Sequence, residues 1–143
     1  GFPIGALITF GEPVSSLLGP GQHGTTFGGN PAATASALAT LHVLEGQDVL
    51  AHVRDTSAAL AEALQELDCV TAVRAHGLLV GFDLATEVAP AVVRAGLEAG
   101  FIINSTGPAT LRLAPPLIIT MEQLRGFVDA LPGLYATAIA QEN

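Results

Sequence analysis

Glycine and proline are unevenly spread along this chain of 143 residues: eight of the sixteen glycines and four of the nine prolines fall within residues 1–31. Glycine widens and proline narrows the choices open to a backbone, and neither suits the interior of a helix or a central strand. The first thirty residues are therefore expected to be mostly loop, relieved by a short apolar strand at residues 4–10 and a helical turn within 13–18. Regular structure should begin at Asn30-Pro31, with Asn30 as helix N-cap and Pro31 at the first helical position, where its missing N–H costs nothing. That helix is expected over 31–44, and its alanines and small hydroxyls suit close packing.

Gly46 is expected to break it. Beyond lies periodic sequence. Val49, Leu50, Val53, Leu60, Ala61, Leu64 and Leu67 form an apolar stripe that predicts an amphipathic helix over 47–67. Residues 70–75 and 78–84 read as strands joined across His76-Gly77, too close for a parallel crossover and hence an antiparallel hairpin. A helix over 87–99 should end at Gly100. Strands at 101–104 and 110–113 should flank a turn at 105–108. A final helix should start at Thr120, with Gln123 completing a capping box, and Pro132-Gly133 should kink or split it. The order predicts an α/β fold of the α+β kind: a small, mostly antiparallel sheet with packed helices.

Composition removes several classes of function. The five basic residues are Arg54, Arg74, Arg94, Arg112 and Arg125, set against thirteen carboxylates, and there is no lysine. A net charge of −8 with scattered cations argues against nucleic acid and against an anionic membrane surface as partners. No apolar stretch has the length and uniformity of a membrane-spanning helix. Cys69 is the single cysteine, which excludes an internal disulfide and fits a reducing cytoplasm; it is expected to be a small core residue. His42, His52 and His76 lie on different elements without metal-ligand spacing, so no metal site is expected. The opening Gly1-Phe2-Pro3-Ile4-Gly5 does not resemble a signal peptide and reads as a cut end, with further residues expected upstream.

The stretch Gly21-Gln22-His23-Gly24-Thr25-Thr26-Phe27-Gly28-Gly29-Asn30-Pro31 carries the most chemical information. Glycine-freed amides, two adjacent hydroxyls and a helix N-terminus are what a phosphate dianion needs. The same residues also suit a glycine loop that merely lets the chain turn, with Thr26 capping the helix or tying the loop backbone. Arg112 likewise has two readings, as a bidentate ligand for a carboxylate or as the partner of an internal carboxylate such as Asp83. His23 is expected to be a hydrogen-bonding loop residue, and Asp83 and Glu87 to be solvated or strand-end charges.

Residues 23–31 resemble the H-G-[ST]-T-[FY]-G-G-N-P segment of the class III (omega) aminotransferases, fold-type I enzymes that use pyridoxal 5'-phosphate. Gly1-Phe2-Pro3-Ile4-Gly5-Ala6 is similar to the stretch just after their Schiff-base lysine, and Leu111-Arg112-Leu113-Ala114-Pro115-Pro116-Leu117 to their C-terminal arginine motif. The resemblance implies that residues 1–45 are the tail of the large cofactor-binding domain and 46–143 the C-terminal small domain. It implies that Thr26 contacts the cofactor phosphate of the neighbouring subunit in a homodimer, and that Thr25 touches the substrate. Arg112 would pair with the substrate α-carboxylate, the substrates being a small amino donor and 2-oxoglutarate. It supplies no catalytic residue here, because the lysine is absent from the chain. A stand-alone domain that binds a phosphorylated ligand or a protein partner is the alternative.

Overall fold

Asn30 and Pro31 start the first long helix as their chemistry requires. In the computed structural model, which describes residues 2–142, the Asn30 side chain accepts the Ala33 N–H at 3.0 Å and Pro31 is the first residue of the helix. The chain divides into two units, Gly1–Asp48 and Val49–Asn143.

The first unit contains α1 (Glu12–Ser15), a single turn, and α2 (Pro31–Gly46). Gly46 continues α2, and the break comes at Asp48, whose φ of 46° an aspartate tolerates better than most side chains. The expected strand at 4–10 does not form. A strand exists only through its ladder, none of the described strands pairs with this segment, and Leu7, Ile8 and Phe10 are exposed.

The second unit follows the expected order: α3 (Val49–Gln65), β1 (Val70–His76), β2 (Leu79–Leu84), α4 (Ala89–Glu98), β3 (Asn104–Ser105), β4 (Thr110–Leu113) and α5 (Met121–Glu142). The sheet has the order β1-β2-β4-β3, and every pair is antiparallel. The hairpin turns at Gly77-Leu78, with Gly77 at a φ of 55° in the first loop position, where left-handed backbone is needed. Strand periodicity sends Val80, Phe82 and Leu84 of β2, with Leu111 and Leu113 of β4, into the core. There Phe82 meets Phe127 of α5 at 6.5 Å between ring centroids, and Phe127 meets Phe101 edge-on at 5.6 Å. On α3 the stripe is shifted: Leu50 is exposed, while Thr56 and Ser57 are buried beside Val53 and Leu60. Cys69 is buried, and burial raises its thiol pKa.

Two further expectations change. Residues 101–103 are not strand, because Phe101 is consumed in stopping α4: its N–H bonds the Gly96 carbonyl at 2.8 Å while Gly100 N–H bonds Leu97, with Gly100 at a φ of 90°. Nor does Pro132 split the last helix, which runs unbroken to Glu142. Pro132 lies on its exposed side, and Leu124, Phe127, Val128, Leu131, Leu134 and Ala138 bury the other, so packing outweighs one lost hydrogen bond. The start of that helix is as expected, with Thr120 N–H bonding Gln123 Oε1 at 2.9 Å and Gln123 N–H bonding Thr120 Oγ1 at 3.3 Å. No helix among the described residues is long and apolar enough to cross a membrane.

Candidate functional site

In the first unit the glycine-rich loop is tied by its own side chains. Thr25 Oγ1 accepts the Gly28 N–H at 2.8 Å, and Asn30 Nδ2 donates to the Phe27 carbonyl at 3.1 Å. A Cβ at position 28 would stand 2.6 Å from Thr25 Oγ1, so the turn requires glycine there. Gly29 lies at a φ of 68°, a second glycine requirement. Capping and loop closure are thus the work of Asn30 and Thr25. Thr26 does neither: it is exposed, and its hydroxyl has no hydrogen-bond partner among the described residues.

The helix N-terminus contributes less than its sequence suggests. Pro31 has no N–H, Ala33 N–H is held by the Asn30 side chain, and Thr34 N–H bonds the Asn30 carbonyl at 3.0 Å. Ala32 alone retains a free amide in the first turn. The Thr26 hydroxyl, rather than the helix end, is therefore the unengaged hydroxyl of this segment. His23, expected to hydrogen-bond, is exposed without a partner among the described residues.

In the second unit the helices cover one face of the sheet and leave the other open. Arg74, Gly81, Arg112 and Asn104 lie opposite one another in a single row across that open face, and Ala72, Asp83 and Thr110 form the next row. Arg74 sits diagonally from Asp83 and grips it through two parallel bonds, Nη1 to Oδ2 and Nη2 to Oδ1, both 2.7 Å. Thr110 Oγ1 adds a third bond to Asp83 Oδ1 at 2.7 Å. Hydrogen bonds from Arg74 and then Thr110 lower the Asp83 pKa to about 2, against the lesser opposing effect of burial.

Asp83, next to the end of β2, is therefore a strand-end charge that is bound rather than left to solvent. Its partner is Arg74, not Arg112. The Arg112 side chain is exposed and makes no hydrogen bond or ion pair among the described residues. The Arg74–Asp83–Thr110 cluster was not anticipated from sequence, yet the hairpin register carries it. A two-residue turn after His76 sets Arg74 opposite Gly81, which leaves Asp83 as its diagonal neighbour on the same face. Thr25 and Thr26 belong to the first unit and Arg112 to the second.

Comparison with known proteins places these features in a lineage. The profile of the class-III aminotransferases matches residues 1–133. Acetylornithine aminotransferase of Mycolicibacterium smegmatis is 44% identical over 140 residues, covering 96% of this chain and 36% of that protein. The same enzyme of Mycobacterium leprae is 42% identical over 143 residues, 99% of this chain and 35% of its own length. A crystal structure of acetylornithine aminotransferase from Elizabethkingia anophelis aligns over 85% of this chain and 32% of its own, with 32% identity and a TM-score of 0.70. The chain thus spans about a third of the length of the relatives it matches. On profile, identity and fold together, it belongs to the class-III aminotransferases, a family dependent on pyridoxal 5'-phosphate.

Proposed function

We propose that this chain is the C-terminal part of an acetylornithine aminotransferase of arginine biosynthesis, a homodimer of the cytoplasm. The enzyme would move an amino group reversibly between N2-acetyl-L-ornithine and 2-oxoglutarate, giving N-acetylglutamate 5-semialdehyde and glutamate. Residues 1–45 would end the large cofactor-binding domain, and 46–143 would form the C-terminal small domain.

When bound, pyridoxal 5'-phosphate supplies an electron sink for the carbon that bears the transferred amino group. The Thr26 hydroxyl would donate to the phosphate of the cofactor held by the neighbouring subunit. Thr25, whose oxygen already accepts from Gly28, keeps its own O–H to donate to substrate. Arg112 would hold the substrate α-carboxylate through two parallel N–H donors, a geometry that fixes orientation as well as charge. No residue of this chain offers an amine side chain to hold the cofactor or move the proton at the carbon that bears the transferred amino group, so the chain by itself is expected to be inactive.

One observation carries the reading. Thr26 and Arg112 are exposed and have no side-chain partner among the described residues, within a chain 44% identical to an acetylornithine aminotransferase. The test is the steady-state kcat/KM of the full-length gene product with N2-acetyl-L-ornithine, ornithine, 4-aminobutyrate and N2-succinyl-L-ornithine. Preference for acetylornithine is expected, and absence of that preference overturns the assignment. For the chain alone, added cofactor should leave no absorbance after dialysis.

A further inference from the structure

The open face of the sheet carries two arginines in one row, and only one of them is free. Arg74 on β1 and Arg112 on β4 flank Gly81 of β2, each directly opposite it in register. Two strand spacings put their Cα atoms roughly 10 Å apart. Gly81 has no side chain to stand between them, and an added Cβ there would meet only the Leu111 carbonyl, at 3.9 Å. Nothing on the glycine itself would prevent two long guanidinium groups from converging on a ligand above it.

What separates them is Asp83. Its carboxylate accepts from Nη1 and Nη2 of Arg74, both at 2.7 Å, and is itself pinned to β4 by the Thr110 hydroxyl. Bidentate pairing of this kind occupies the end-on fork of the guanidinium and offsets its charge, which weakens its pull on a second carboxylate. The remaining arginines, Arg54, Arg94 and Arg125, lie on helices α3, α4 and α5.

We propose that Asp83 is a specificity-determining residue: by sequestering Arg74 it leaves Arg112 as the single free guanidinium of this face, so that the face grips one carboxylate of a ligand and not two. The inference rests on the reading of Arg112 as a carboxylate ligand. Asp83 touches no substrate in this scheme and acts through Arg74. Removing its charge frees a second cation in the same row and turns the face toward dicarboxylates.

The experiment is an NMR titration of the full 143-residue chain with butyrate and with glutarate, read at the backbone amides of Gly81 and Arg112. The native chain should bind both with similar Kd. In Asp83→Asn glutarate should tighten about tenfold, the worth of one charge-assisted contact, while butyrate tightens no more than about twofold. Adding Arg74→Gln to that variant should abolish the gain. Equal gains for the two ligands, or no gain, overturn the proposal while leaving the Arg112 reading intact.

Arg74→Gln alone gives an answer even if Asp83→Asn does not fold. It leaves the Asp83 carboxylate unpaired diagonally from Arg112, so both ligands should weaken together. A loss for glutarate more than about tenfold beyond that for butyrate shows Arg74 already at work and overturns the proposal. Arg112→Gln should abolish binding of both ligands. If neither ligand perturbs Gly81 or Arg112 in any variant, the reading of Arg112 falls and this inference falls with it.

Discussion

Leu7, Ile8 and Phe10 of the first unit are 78, 77 and 86% exposed, whereas Val80, Phe82 and Leu111 of the second have no exposed surface, although both sets sit in short apolar runs. Composition does not distinguish them. The run at Val80 is a strand because β1 and β4 flank it and α5 offers Phe127 to its buried side. The run at Leu7 has the pattern of a strand and no neighbour to make one. Among the described residues of the first unit Ala33 alone is buried, while the second holds a continuous core. Burial on this scale separates a unit held by packing from one held by local hydrogen bonds.

The largest effect that follows is on stability. Phe82→Ala should cost about 3–5 kcal/mol, since the ring is fully buried against Phe127 and leaves a cavity. Phe10→Ala should change stability by less than about 0.5 kcal/mol, as exposed substitutions do. Urea denaturation of the two variants checks this. A comparable loss from Phe10→Ala would break the contrast, because it would mean that the first apolar run packs in solution.

The same contrast explains what could be read in advance. Elements of the second unit were legible because their signals are local: a stripe of period 3.6 for α3, a two-residue turn for the hairpin, and Thr120 with Gln123 for the start of α5. Misreadings arose where one residue had two claims on it. Phe101 looks like the first residue of a strand, but its N–H closes α4, and Pro132 looks like a stop, yet the buried face of α5 carries the helix past it. At the candidate site the residue types were legible and their partners were not. Asp83 reads from sequence as a solvated or strand-end charge, or as a partner of Arg112, because its actual partner, Arg74, lies nine positions away and is visible only once the register is known. The loop was expected to offer a helix terminus, but Asn30 occupies the amide that capping leaves at Ala33.

A second pair of substitutions asks whether the unit with less packing also carries less of the proposed activity. In the full-length protein Arg112→Gln should lower kcat/KM about 100-fold, the cost of about 3 kcal/mol for a lost bidentate charged contact. Thr26→Val should weaken cofactor affinity about tenfold, as the loss of one hydrogen bond to a charged group predicts. Both side chains are exposed and unengaged here, so neither variant should shift the thermal midpoint appreciably. Cofactor titration and steady-state rates measure the two effects separately. A larger loss from Thr26→Val than from Arg112→Gln would reverse the order and make the loop, for all its exposure, the dominant contributor.

The smallest effect concerns acid. Asp83 has its pKa lowered to about 2 by Arg74 and Thr110, whereas an unfolded chain would titrate it near about 4. A depressed folded pKa means that the unfolded state binds the extra proton first as pH falls, so the stabilisation is whole above about pH 4 and is lost between there and about pH 2. The difference in unfolding midpoint between the native chain and Asp83→Asn should therefore be level from pH 7 to 5 and close to zero at pH 2. Its size should be modest, because both partners are partly exposed and solvent screens them. A difference that persisted undiminished at pH 2 would mean that the Asp83 charge contributes nothing to holding β1, β2 and β4 in register. The second unit would then rest on its apolar face alone.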